Sequence, residues 1–238
     1  MSISLQDVYV TTGGFRVIRA DFSHLDAIVK IHLATFKGFF LESLGREFLR
    51  ELYRGFILEP SGLCLVAIDA SGALIGFVAG TTQPEGFFRR LLRHRWYAFV
   101  SAGISSLFLH PILVGRKFVF ALRYRGEKPL DIPPAALLSS IGVLPEGKRR
   151  GIGKTLVASF CEEVRKDGIP IVFLTTDRDS NDAVNNFYLG SGFKLHSSFL
   201  KELNRWTNLY TRSYAEVELG SEGISCSVTG PAKPSKLC

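Results

Sequence analysis

Apolar residues recur along the chain with two periods, and the switches between them mark its elements. FRVIRA at 15–20 alternates apolar and polar positions as a half-buried strand does. Leu25, Ile28, Val29, Leu33 and Phe36 then fall at helical spacing behind Ser23, which predicts a helix capped by that serine. A second helix is expected from about Gly45 to Ile57, with Phe48, Leu49, Leu52, Tyr53 and Phe56 on one side and Pro60 beyond its end. CLVAID and ALIGFVAGT, joined by Ala70, Ser71 and Gly72, read as a β-hairpin.

The rhythm breaks between Gln83 and Pro133. That stretch combines a basic, aromatic, helix-like run, FFRRLLRHRWYAFV, with an uncharged run interrupted by Pro111, and is read as an insertion. LLSSIGVLP resumes as a buried strand, GIGKTLVASFCEEVRKDG as an amphipathic helix stopping at Gly168, and PIVFLTTD as another strand. A short helix in NDAVNNFYLGSGF and an antiparallel pair from FKLHSSFLKEL and RWTNLYTRSYAEVEL complete the pattern. The expected organisation is one domain at 14–219, including the insertion at 83–133, followed by a polar tail at 220–238 expected to be disordered.

Composition narrows the class. With 46% hydrophobic and 12% aromatic residues, 238 residues hold ample material for one sizeable core. Cysteines at 64, 161, 226 and 238 lack zinc-ligand spacing or a disulfide pattern, so a reduced, cytoplasmic chain with no metal is expected. The first residues carry no basic segment followed by an apolar one, as a secretory signal would. Of the net charge of +7, most belongs to 83–133, where nine Lys and Arg face three acids. The charge therefore describes what the insertion touches rather than a general affinity for nucleic acid.

The candidate chemistry begins between the buried strand and the helix that follows it. Lys148, Arg149, Arg150, Gly151, Ile152 and Gly153 stand where backbone N–H groups lack intrahelical partners, an arrangement suited to phosphate. Glycines at 151 and 153 would let a diphosphate approach the amides, and the adjacent cations would attract it. Two alternatives compete: an ordinary strand-to-helix connection with solvated cations, and a nucleotide P-loop ending in Gly153, Lys154 and Thr155. The P-loop spacing fails, because its first glycine would have to stand at Lys148.

IGVLPEGKRRGIGKTL resembles the cofactor motif of the GNAT acetyltransferase superfamily, a strand followed by [QR]-x-x-G-x-[GA] at a helix start, with Lys148 departing from the usual Gln or Arg. A second family motif, Asn near a helix start and Tyr seven residues on before a Gly-Phe turn, is matched by Asn181, Tyr188, Gly192 and Phe193. The resemblance is loose over 15–81, close over 137–200, and absent from the insertion. It implies an α/β (α+β) fold with a mixed, mostly antiparallel six- to seven-stranded central sheet flanked by helices, the helical insertion falling between the third and fourth strands. It also implies acetyl-CoA as cosubstrate. Carried over, the backbone of Ile141 and Val143 would meet the pantetheine arm and thioester, the amides from Lys148 to Lys154 the diphosphate, Asn181 the cofactor arm, and Tyr188 the sulfur.

Transfer from a thioester to an amine needs a neutral amine, a stabilised oxyanion and a proton for the leaving thiolate. The Tyr188 phenol, with an ordinary pKa of about 10, can give that proton; the competing reading packs it beside Phe187 and Phe193. The base is open. Ser139 and Ser140 stand in the central strand where many relatives place Glu, and Glu42, His110, Glu127 and Asp131 are the candidates elsewhere.

The insertion would overhang the acceptor groove. Arg89, Arg90, Arg93 and Arg95 suit an anionic acceptor such as a nucleotide-linked amino sugar, with Trp96, Tyr97 and Phe99 available for stacking. The expected partners are acetyl-CoA, a small-molecule amine and a second copy in a homodimer, without nucleic acid. Two alternatives remain: a non-catalytic acyl-CoA sensor or scaffold of the same fold, and an acyltransferase acting on a lipid-linked acceptor while held peripherally on the inner membrane through the uncharged run at 98–115.

Overall fold

The computed structural model describes residues 8–12, 14–36, 45–94, 134–147, 150–201 and 205–214. Eight strands form one sheet: β1 (Val8–Thr12), β2 (Phe15–Arg19), β3 (Gly62–Asp69), β4 (Leu74–Thr81), β5 (Ala135–Val143), β6 (Ile171–Asp177), β7 (Lys194–Lys201) and β8 (Arg205–Ser213). Their spatial order is β1-β2-β3-β4-β5-β6-β8-β7. Every adjacent pair is antiparallel except β5 with β6. The helices are α1 (Leu25–Thr35), α2 (Arg46–Leu58), α3 (Phe87–His94), α4 (Ile152–Lys166) and α5 (Asp182–Leu189).

The sheet is covered on both faces, and alternation along β3 shows how. Cys64, Val66 and Ile68 point into a layer with Ile28, Val29, Leu49, Tyr53 and Phe56 of α1 and α2. Leu63, Leu65 and Ala67 point the other way, onto Ile152, Leu156, Val157, Phe160 and Val164 of α4. A strand apolar at nearly every position is what burial on two faces requires.

Two expectations, the strand count and the helix cap, are revised. The sheet has eight strands rather than six to seven, because Val8–Thr12 pairs with β2, which places the insertion after the fourth strand. Ser23 is not the cap of α1. A one-turn 3₁₀ helix, Phe22–His24, precedes it, and Asp21 caps that turn by accepting from the Ser23 amide at 2.8 Å. The insertion opens as α3, whose Phe87 and Leu91 pack on α2; Phe87 stacks on Phe56 with centroids 5.1 Å apart, and Gly55 leaves room for Leu91. The rest of the insertion, at 95–133, lies outside the described residues, as do residues 215–238 with the expected tail at 220–238, Lys148, Arg149, Glu42, Trp96, Tyr97, Phe99, His110, Glu127 and Asp131.

Candidate active site

The central feature is a parting of two strands. β5 and β6 pair only through Ala135 with Ile171, Ala136 with Val172 and Leu137 with Phe173. Beyond that rung β5 stays on β4 as far as Val143, and β6 stays on β8 as far as Asp177. The result is a V-shaped gap with an unpaired backbone edge on each side. The Leu144 amide donates to the Ile75 carbonyl at 3.0 Å, so by strand alternation Gly142 and Ser140 also face β4. The N–H and C=O groups of Ile141 and Val143 therefore point into the gap.

Where the strands part, β5 carries a bulge. Ala79 pairs with Ser140 and Gly80 with Leu138, leaving Ser139 as the extra, exposed residue. The bulge resets the alternation. Ile141 and Val143 pack toward α4, whereas Ser140 and Gly142 face α1 and α2; a Cβ on Gly142 would meet Phe77, Thr35 and Ile31. Gly80 fits this crossing because a Cβ there would lie 2.1 Å from the Leu137 carbonyl oxygen.

The gap leads to the start of α4. Gly151 occupies the N-cap position in the left-handed region, at φ 77°, which glycine adopts without a Cβ penalty. No side chain caps this helix. Its first ladder bond runs from the Thr155 amide to the Gly151 carbonyl at 2.9 Å, so the amides of Ile152, Gly153 and Lys154 precede the ladder. A Cβ on Gly151 would meet nothing within 4 Å, leaving that approach open. Gly153 has a different reason to be glycine: a Cβ there would sit 3.2 Å from the Phe187 ring, so it admits close packing of α5 on α4. The Arg150 guanidinium lies beside Gly14 and, after the hydrogen bonds from Ser71 and Ala73, helps to lower the pKa of Asp69, so it is directed at the β3–β4 turn.

On the far side stands α5. Asn181 is its N-cap residue but does not cap it with its side chain; its Nδ2 donates to Thr176 Oγ1 at 2.9 Å and to the Asp177 carbonyl at 3.0 Å, tying the helix start to the end of β6. Asn185 reinforces this joint. Its Nδ2 donates to the Asp177 and Arg178 carbonyls, and its Oδ1 accepts from Tyr210 at 2.9 Å and Asn208 at 3.3 Å. Tyr188, one turn further on, is 7% exposed, with Phe187 5.2 Å, Phe193 5.9 Å and Tyr210 6.2 Å away between ring centroids. Burial pushes its phenol well above the ordinary tyrosine value, so it keeps its proton across the neutral range. Tyr188 thus packs among aromatics as a protonated phenol.

Arg89 and Arg93 are exposed on α3, while Arg90 is held by the carbonyls of Glu85 and Gln83. A cavity of about 290 Å³ lined by Glu59, Ser61, Thr82, Gln83 and Arg90 lies at the other end of β4 from the gap. Among the described residues no cluster of His, Cys, Asp and Glu could hold a metal ion, and no helix is long and apolar enough to cross a membrane.

The central strand offers no carboxylate, but it does not stand alone on the helical face. His32 of α1 and Tyr53 of α2, both buried, meet there with Nδ1 2.6 Å from Oη, and Ser140 of β5 lies near the same phenol. Sequence reasoning missed this group. His32 and Tyr53 each fall within an apolar helical stripe, and only the packing of α1 on α2 brings them together.

A strand that bulges and parts from its parallel neighbour, leading to an uncapped helix start, is the architecture of an acetyltransferase of the GNAT type. The family profile described as Acetyltransferase (GNAT) family matches residues 25–193, and the chain belongs to that family, whose members take the acetyl group from acetyl-CoA. No curated protein sequence matches the chain. Among solved structures, SsHAT is 21% identical with a TM-score of 0.59, covering 85% of this chain and 100% of its own. An acetyltransferase of the GNAT family from Desulfovibrio desulfuricans is 14% identical with a TM-score of 0.55, covering 84% and 99%. The ribosomal-protein-S18-alanine N-acetyltransferase from Escherichia coli is 14% identical with a TM-score of 0.53, covering 86% and 98%. At these identities the likeness concerns the fold.

Proposed function

We propose that this chain transfers the acetyl group of acetyl-CoA to a primary amine by direct attack on the thioester, with Tyr188 as the general acid. The observation that carries this reading is the gap between β5 and β6, which ends at the start of α4. The diphosphate rests on the amides from Lys148 to Lys154, Arg149 and Arg150 among them, where the helix dipole favours an anion. The pantetheine arm runs along the backbone of Ile141 and Val143, pairing with N–H and C=O groups that β6 leaves free. Asn181 borders the arm through Oδ1, its Nδ2 being held by Thr176 and Asp177.

Attack on the thioester carbon forms a C–N bond and breaks the C–S bond; the electron pair goes to sulfur, the Tyr188 proton neutralises it, and the proton shed by the attacking nitrogen returns to the tyrosinate through solvent.

The acceptor is an amine carrying phosphate, such as a nucleotide-linked amino sugar, whose anionic part pairs with Arg89 and Arg93 and whose base or ring stacks on Trp96. Exposed arginines on a helix anchored to α2 support this reading. The test is thiol release from acetyl-CoA with UDP- and dTDP-linked amino sugars against the free amino sugars and simple polyamines. The nucleotide-linked amines should react at least about tenfold faster in kcat/KM. Equal rates for the free amines would contradict the anionic acceptor, and no thiol release with any amine would contradict the transfer itself.

A further inference from the structure

Side-chain amides tie α5 to the end of β6, and the bonds fall where β5 would have continued the sheet. The Arg178 amide donates to the Trp206 carbonyl at 3.0 Å, so by strand alternation the Asp177 carbonyl points away from β8, to the side of the gap. That carbonyl accepts from Asn181 Nδ2 at 3.0 Å and from Asn185 Nδ2 at 3.3 Å. A group that a longer β5–β6 ladder would need is therefore taken by α5.

Asn185 has no bonding capacity left. Carbonyls can only accept, so its Nδ2 faces those of Asp177 and, at 3.2 Å, Arg178. Its Oδ1 faces the Tyr210 hydroxyl at 2.9 Å and Asn208 Nδ2 at 3.3 Å. Both donors and both acceptor sites of the amide are used. Asn208 extends the network to the edge strand by accepting from the Ser198 hydroxyl at 2.7 Å. Asn185, Asn208 and Tyr210 are buried beside an apolar layer, where an unpaired polar group is costly, so the bonds hold as a set. Rotating α5 about its axis would break its bonds to β6 and β8 together.

Tyr188 stands one turn after Asn185 on the same helix, and its ring lies 6.2 Å from that of Tyr210. One network thus locates both the free edge of β6 and the helix that carries the acid. We propose that Asn185 and Tyr210 are positioning residues that hold β6 apart from β5 at Asp177 and set the depth of Tyr188 in the gap; this rests on the acetyl-transfer reading above. Asn185 acts through the Asp177 carbonyl and through α5, and Tyr210 acts through Asn185.

Two measurements on the full chain test it. In ¹⁵N spectra, both Asn185 side-chain amide protons, each donated to a carbonyl, should exchange with water at least about tenfold slower than those of the exposed Asn186. Equal exchange would overturn the brace. Thiol-release kinetics with the fastest amine of the panel above then separate positioning from stability. Tyr210→Phe removes one hydroxyl and keeps the ring, so it carries the test even if Asn185→Ala fails to fold. It should lower kcat about tenfold, with KM for acetyl-CoA within about twofold of the wild type. In a Tyr188→Phe background the same change should lower kcat by less than about twofold, because the hydroxyl it positions is already gone. Val29→Ala, a core truncation on the other face of the sheet, should lower the melting temperature yet keep the wild-type kcat. Wild-type kcat in Tyr210→Phe, an equal loss in both backgrounds, or a comparable loss in Val29→Ala would overturn the positioning role. Absence of turnover in the wild-type chain would sink the transfer reading, while amide exchange would still decide the brace.

Discussion

Leu137 of β5 pairs with Phe173 of β6 in the last rung of their ladder, and beyond it the strands continue as separate edges. This rung sets the apex of the gap. The bulge at Ser139 follows two residues later and turns the unpaired groups of Ile141 and Val143 toward the opening. The candidate site therefore begins with backbone geometry.

Tyr188→Phe removes one oxygen and leaves the aromatic cluster packed. We expect kcat to fall about 10²- to 10³-fold, with acetyl-CoA affinity nearly unchanged and a melting temperature within a few degrees of the wild type. Steady-state thiol release and calorimetric titration of acetyl-CoA separate the two quantities. An unchanged kcat would leave Tyr188 with packing as its sole role.

The two glycines at the start of α4 should respond differently. Gly151→Ala places a Cβ on a residue at φ 77° and should destabilise the fold by about 1 kcal/mol without any clash, since that side is open. Gly153→Ala meets the Phe187 ring and should disturb the α4–α5 contact, seen as altered near-ultraviolet circular dichroism. Gly80→Ala, aimed at the Leu137 carbonyl, should be worse than either, costing about 3 kcal/mol by thermal unfolding.

Asn185→Ala strips partners from Tyr210, Asn208 and the carbonyls that end β6. Leaving buried polar groups unsatisfied should cost about 2 kcal/mol in denaturant unfolding. Because α5 also carries Tyr188, kcat should fall while KM for acetyl-CoA changes little.

Asp69 gives a pH-dependent contribution to stability. Its carboxylate accepts from the Ser71 hydroxyl and from the Ser71 and Ala73 amides, chiefly the hydroxyl bond holding its pKa below the ordinary value. A depressed folded-state value means that the stabilisation is present above the unfolded carboxylate range and is lost as pH falls through the folded value. Asp69→Asn should therefore melt below the wild type at neutral pH, with the gap closing below about pH 4. A gap independent of pH would contradict this.

The sequence disclosed what depends on local periodicity. The helices at α2 and α4, the hairpin at Ser71 and Gly72, and the glycine turn at Gly151 stand where spacing and turn chemistry put them. It misjudged what depends on a neighbour in space. Ser23 was the natural cap by type, yet its amide is the donor and Asp21 the acceptor. Val8–Thr12 consists of strand formers that sequence reasoning passed over, and it pairs with the edge that β2 offers. The Ser139–Ser140 pair reads as two equivalent hydroxyls, and only the bulge decides that Ser140 faces α2. His32 was invisible as chemistry because its position in the helix is that of a core residue.

The most direct test titrates the full ¹⁵N-labelled chain with acetyl-CoA and follows the backbone amides. The account predicts saturable shifts at Gly151, Ile152, Gly153 and Lys154 together with Ile141 and Val143, and shifts at the β5 residues alone with S-acetylpantetheine, which lacks the diphosphate. Saturable binding of acetyl-CoA that leaves the amides at 151–154 unmoved would contradict it.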